Sequence, residues 1–231
     1  MKKFILAALL SVGLSGLAQS DGHFGLFAGA NHYYLKSNFL SSRSAMGYTV
    51  GAFGTVEVTD YSKFIVEVGF TRNNIELLAR QSELAEPEWI KFRGDVASLS
   101  VIYNYDVLHF LSDDIAIGLN LGPSISFNPK WVIADDSQEG MYYVDPYEFS
   151  TTDQGTEEWN NPRHLNIYAV MGLNFTYRNW GLNARYYKGM TDPYKNVAPT
   201  ENGIQFSSES SYATFTITYM LGEHIGYNNK F

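Results

Sequence analysis

The stretch Ser210-SSYATFTITYML-Leu221 decides the fold. Thr214, Thr216 and Thr218 occupy alternate positions, and Ala213, Phe215, Ile217, Tyr219 and Leu221 fill the positions between them. A β-strand points successive side chains to opposite faces. The segment therefore predicts a strand with one apolar face and one face of small polar groups. The same alternation recurs upstream. In IAIGLNLGPSISF, Ile115, Ile117, Leu119, Leu121, Ile125 and Phe127 oppose Ala116, Gly118, Asn120, Gly122, Ser124 and Ser126. In LNIYAVMGLNFTY, Leu165, Ile167, Ala169, Met171, Leu173, Phe175 and Tyr177 share the apolar phase. Eight segments carry it, near 23–35, 46–58, 62–74, 89–106, 114–127, 164–177, 180–190 and 210–221. Each is about twice an ordinary strand, whose usual length is roughly five or six residues.

The connections alternate too. Those at 59–61, 107–113 and 178–179 are short, and those at 36–45, 75–88, 128–163 and 191–209 are long. Short and long links taking turns between an even number of strands is the layout of an outer-membrane barrel. The expected fold is thus all-β: an eight-stranded antiparallel up-and-down transmembrane β-barrel. Lipid requires every backbone polar group to pair internally, so the sheet must close, and it requires an uncharged exterior. Eight strands leave an interior that small polar side chains fill. The alternative, a soluble lipocalin-like barrel with its apolar face inside, fits the strand lengths and loop alternation less well.

The N-terminus fits this destination. Lys2 and Lys3 precede an apolar run from Phe4 to Leu14 and a small-x-small site at Gly16-Leu17-Ala18, the layout of a cleaved secretory signal over residues 1–19. The run is too short for a membrane-spanning helix. The single barrel domain then covers 20–231. Removing the two lysines takes the net charge from −8 to −10, which argues against nucleic-acid binding. The chain has no cysteine, so neither disulfides nor a lipid-modified Cys are expected. The predicted location is the outer membrane of a Gram-negative bacterium, in contact with its lipid and lipopolysaccharide.

Phase and height assign candidate sites. Phe64, Tyr103, Tyr105, Tyr177, Trp180 and Tyr219 are outward near the predicted periplasmic ends of their strands and form an expected aromatic girdle. Arg72, Arg93 and Lys188 are outward at the other rim, where anionic head groups begin; a plainly solvated rim is the alternative. Glu57, Glu67 and Arg185 are inward. Glu67 and Arg185 should share a height across the lumen and neutralise each other, because an unpartnered buried charge is costly. A filled plug, a narrow gated pore and catalysis are the readings such a cluster allows. The loop at 128–163 is acidic and aromatic: from Asp135 to Glu158 it holds eight acids and no base. Asp135, Asp136, Tyr142, Tyr143, Tyr147 and Trp159 form the expected binding surface for a protein partner or a glycan. Asp135–Asp136 and Asp153–Glu157–Glu158 are alternatives for calcium, without EF-hand spacing.

The segments GYTVGAFGTVEVTDYSKFIVEVGF, LSVIYNYDVLHFLSDDIAIGLNLGPSISF, GLNARYYKGMTD and YATFTITYML together resemble the PorT-like outer-membrane β-barrel proteins of Bacteroidota. The resemblance implies an eight-stranded outer-membrane barrel. The namesake takes part in type IX secretion, but no motif in this chain reports that role. No catalytic, cofactor or metal motif appears among the five histidines at 23, 32, 109, 164 and 224. A lipid A deacylase or palmitoyltransferase would need a His and a Ser at one height; His32 and His164, with Ser41, Ser42 or Ser44, are the available residues. The expected function is non-enzymatic, as a structural or interaction subunit of a larger outer-membrane complex. A small gated channel and a lipid-modifying enzyme are the alternatives.

Overall fold

The computed structural model describes residues 23–82, 84–112, 114–127, 130–138, 141–144, 162–195 and 207–221. The expected signal segment, Tyr147 and Trp159 lie outside the described residues. Eight long strands form the wall: β1 (Phe24–Ser37), β2 (Ser42–Thr59), β3 (Ser62–Arg80), β4 (Glu88–Ser112), β5 (Ile115–Phe127), β8 (Leu165–Tyr177), β9 (Trp180–Gly189) and β10 (Ser208–Leu221). Two short strands, β6 (Val132–Ile133) and β7 (Tyr143–Val144), lie in the connection between β5 and β8. Each wall strand pairs antiparallel with its sequence neighbour. The ring closes where β1 meets β10, in unbroken register from Phe24↔Leu221 to Ser37↔Ser208. The protein is an antiparallel up-and-down barrel without a free wall edge.

Strand phase matches the sequence reading. Leu26, Val50, Phe70, Leu119, Leu121, Met171, Leu173, Phe215 and Ile217 are exposed on the outside. Thr49, Thr71, Ser100, Asn104, Asn120, Ser124, Asn174, Thr214 and Thr216 are buried inside. An apolar band running around a molecule far exceeds the patches that water-soluble monomers tolerate. The band and the closed ring make this a transmembrane β-barrel of the outer-membrane type.

Three connections differ from expectation, and one cause explains much of it. Above Arg72 the polarity of β3 and β4 reverses without any break in their register. Ile75, Leu77 and Ala79 on β3, and Ile90, Phe92 and Val96 on β4, are apolar and buried inside, whereas Glu76 and Lys91 point outward. Beyond the membrane the outer solvent is water, so the apolar face turns inward. The expected loop at 75–88 is therefore mostly strand, with only 81–87 connecting. The first expected loop, 36–45, shrinks to 38–41, because Ser37 Oγ accepts from the backbone N–H groups of Phe39 and Leu40 and closes a tight turn. The segment 107–113 is also largely strand, since β4 continues to Ser112 through irregularities beside Leu108.

Candidate functional site

The interior has three layers. At mid-height, Glu67 and Arg185 meet as expected. Arg185 Nη1 donates to both Glu67 carboxylate oxygens at 2.7 Å, and Nη2 reaches Asn183 Oδ1 at 3.4 Å. Both side chains are buried. Glu57 does not join them. It is exposed at the short-turn end, where it lines a cavity of about 70 Å³ with Asp60, Lys63, Asp106, Asp114 and Arg178. β2 stays paired to β3 through Glu57↔Lys63, but its pairing with β1 ends at Phe24↔Gly54, so Glu57 reaches the mouth instead of the filled layer.

Above the ion pair the lumen is filled by tyrosines. Tyr187 and Tyr212 stack at 4.2 Å with planes 9° apart, and Tyr168 meets Tyr212 edge-on at 5.2 Å. Tyr33 lies against Trp131 at 5.5 Å. These rings are buried. Sequence reasoning passed over them because Tyr also suits the lipid interface; the available signal was phase, since Tyr33, Tyr168, Tyr187 and Tyr212 all fall in the polar, inward register. Trp131 and Tyr194 close the top from two different loops, with Phe39 edge-on to Tyr194 at 5.3 Å. Burial pushes the Tyr194 phenol well above its usual range. A cavity of about 10 Å³ lies between Tyr33, Trp131 and Tyr194.

The connection between β5 and β8 is built onto the protruding β3–β4 hairpin. β6 adds to β4 through Phe92↔Ile133 and Arg93↔Val132, and β7 adds to β3 through Ala79↔Val144 and Arg80↔Tyr143. Side chains reinforce this. Arg93 Nη2 donates to Asp136 Oδ1 at 2.8 Å, and the Tyr142 hydroxyl accepts from Gln81 Nε2 at 2.9 Å. Asp136 and Tyr142, expected on a binding surface, thus fasten the loop to the hairpin. Asp135 is exposed, and the hydroxyl and backbone N–H of Ser137 hold its carboxyl below the usual range. Tyr143 contributes backbone pairing in β7.

The rim cations are outward as expected, and each has an acidic partner. Arg72 forms a bidentate pair with Asp95 at 2.6 and 2.7 Å. Arg93 binds Asp136, and Lys188 binds Glu209. At the short-turn end Phe64, Tyr103, Tyr105, Tyr177, Trp180 and Tyr219 are all exposed on the outside. Phe64 packs on Tyr103 at 5.4 Å and Trp180 on Tyr219 at 4.7 Å, cross-strand contacts that fix the girdle rings. Of the residues considered for acyl transfer, His32 Nδ1 shares a hydrogen bond with the Tyr34 hydroxyl, and Ser42 Oγ donates to the Leu35 carbonyl. Among the described residues no three His, Cys, Asp or Glu side chains form a metal cluster.

No family model and no curated protein matches the chain. Solved barrels resemble it in structure. Neisserial surface protein A (NspA) shares 14% identity over 85% of this chain and 96% of its own, with a TM-score of 0.45. Ail of Yersinia pestis shares 12% over 87% and 99%, at 0.43. OprG of Pseudomonas aeruginosa shares 8% over 87% and 97%, at 0.45. These likenesses carry no functional argument; the architecture rests on the register and the apolar band.

Proposed function

We propose that this chain is a non-enzymatic, non-conducting barrel of a Gram-negative outer membrane, delivered by a cleaved signal peptide, that acts as a structural or interaction subunit of a larger outer-membrane complex. Membership of a PorT-like family of Bacteroidota belongs to the same reading and is supported by the segments that resemble it. One observation carries the proposal: the long-loop end is a constructed platform. The hairpin of β3 and β4 rises beyond the apolar band, and β6 and β7 widen it into a four-stranded sheet. A loop serving only to link two strands needs no such fastening, whereas a surface that meets a partner gains from being pre-organised. The rim pairs Arg72–Asp95, Arg93–Asp136 and Lys188–Glu209 offer both charges to lipopolysaccharide head groups.

The test is a mild-detergent pulldown of tagged protein from its native membrane, read by mass spectrometry. A stoichiometric partner that is lost when 145–159 is replaced by a Gly/Ser linker supports the proposal. An intact membrane yielding no partner sinks it. Current steps in a planar bilayer would instead favour the small channel, against the filled lumen.

A further inference from the structure

Below the Glu67–Arg185 pair, the inner wall carries a cluster of side-chain oxygens around Gly118. Gly118 faces inward on β5, between Asp106 on β4 and Asn174 on β8. A Cβ placed on Gly118 would sit 2.5 Å from Asn174 Oδ1 and 2.6 Å from both Asn104 Oδ1 and Asp106 Oδ1. The three oxygens therefore surround the space on the lumen side of the Gly118 Cα, and no two are farther apart than the sum of two such distances. That is the span a single hard cation bridges, at metal–oxygen distances of about 2.3–2.6 Å.

Partnering sharpens the point. Asn104 is fully buried and Asn174 nearly so, yet neither Oδ1 accepts a hydrogen bond from the protein. The Asn104 amide orientation is fixed from its other side, because Nδ2 donates to Asp106 Oδ1 at 2.7 Å. Asn174 Nδ2 donates to Thr176 Oγ1 at 3.2 Å. Buried acceptors facing one another repel, and a buried polar atom without a partner is costly. A positive charge among them removes both penalties. The donor set, one carboxylate and two amide oxygens, is hard and suits calcium or sodium rather than a soft metal. The cluster borders the lumen cavities: Asp106 lines the one at the short-turn mouth, and Asn174 lines the next one inward, with Lys63 in both.

Lys63 competes for this carboxylate. Its Nζ lies 3.8 Å from Asp106 Oδ2, and its side chain is a quarter exposed, so it has room to swing away. We propose that Asn104, Asp106 and Asn174 form a binding site for a hard cation of calcium or sodium size, reached from the short-turn mouth and opposed by the Lys63 ammonium. Water completes the coordination.

The test uses the full barrel in detergent, stripped with chelator and exchanged into choline chloride at constant ionic strength. Calcium chloride and sodium chloride are titrated separately, with calorimetric heat and unfolding temperature as readouts. One or both cations should bind saturably and raise the unfolding temperature. K63Q should bind roughly tenfold more tightly, because it removes a unit charge beside the site. D106N should abolish binding; should it fail to fold, N174A must weaken binding while K63Q strengthens it. A purely structural Lys63 gives the opposite sign, since losing a partner of Asp106 then only destabilises. The proposal is overturned if neither cation binds wild type or K63Q, or if binding survives in D106N unchanged. In the first case the amides hold water alone; in the second the cation binds elsewhere.

Discussion

Glu67 and Arg185 show how much a single pair of residues reports about the barrel. They are 118 positions apart in sequence, yet phase and distance from the turns place them together, because inward residues at equal height in a narrow lumen must meet. Their energetics follow from burial. Removing one partner strands a charge where water cannot reach it, so E67Q or R185M alone should cost about 3–5 kcal/mol. The double replacement E67Q/R185M leaves no charge behind and should cost far less than the sum of the two. Urea unfolding of the four proteins in detergent checks this; additive losses would mean the pair is not isolated from water. Trp131 was not legible in the same way. It sits in a loop, outside any alternating segment, and its burial depends on Tyr33 and Tyr194 arriving from β1 and the last long connection. W131A should cost about 3–5 kcal/mol locally. The expected sign is faster proteolysis within 130–144 with the wall strands still protected.

Strand phase was readable because the solvent imposes it, and it was misread where the solvent changes. From Phe64 to Phe70 the outward positions of β3 are apolar; from Ile75 to Ala79 the inward ones are. Backbone pairing with β4 runs straight through this change. Sequence reasoning that equates apolar with outward ends the strand at the reversal and assigns the remainder to a loop. The turn chemistry of Ser37 and the added strands β6 and β7 were hidden for a related reason, as both depend on what packs over the hairpin. The reversal makes a sharp prediction. M171K places a charge in the apolar band and should destabilise by about 2–4 kcal/mol. L78K lies on the same outer face above Arg72 and should change stability by less than about 0.5 kcal/mol. Folding titrations into lipid vesicles separate the two; equal penalties would mean that the band extends over the whole hairpin.

At the scale of the molecule, the described residues leave a cavity at the short-turn end of the barrel and fill the other end. Charged residues and a cavity stand at the short-turn mouth, an ion pair crosses the middle, and tyrosines capped by Trp131 and Tyr194 fill the top. Nothing in the composition alone gives that gradient, since it arises from which strands the inward tyrosines occupy. All of it rests on one claim: the apolar face of each strand meets lipid and the polar face meets the lumen. The chain has no cysteine, so single cysteines can be placed along β10 without background. Labelling from residue 213 to 218 in reconstituted vesicles tests the claim most directly. Cysteines at 213, 215 and 217 should react with a lipid-dissolved maleimide, and those at 214, 216 and 218 should not. The opposite phase, with the odd positions shielded and the even ones facing outward, would contradict the account and describe a barrel with its apolar face inside.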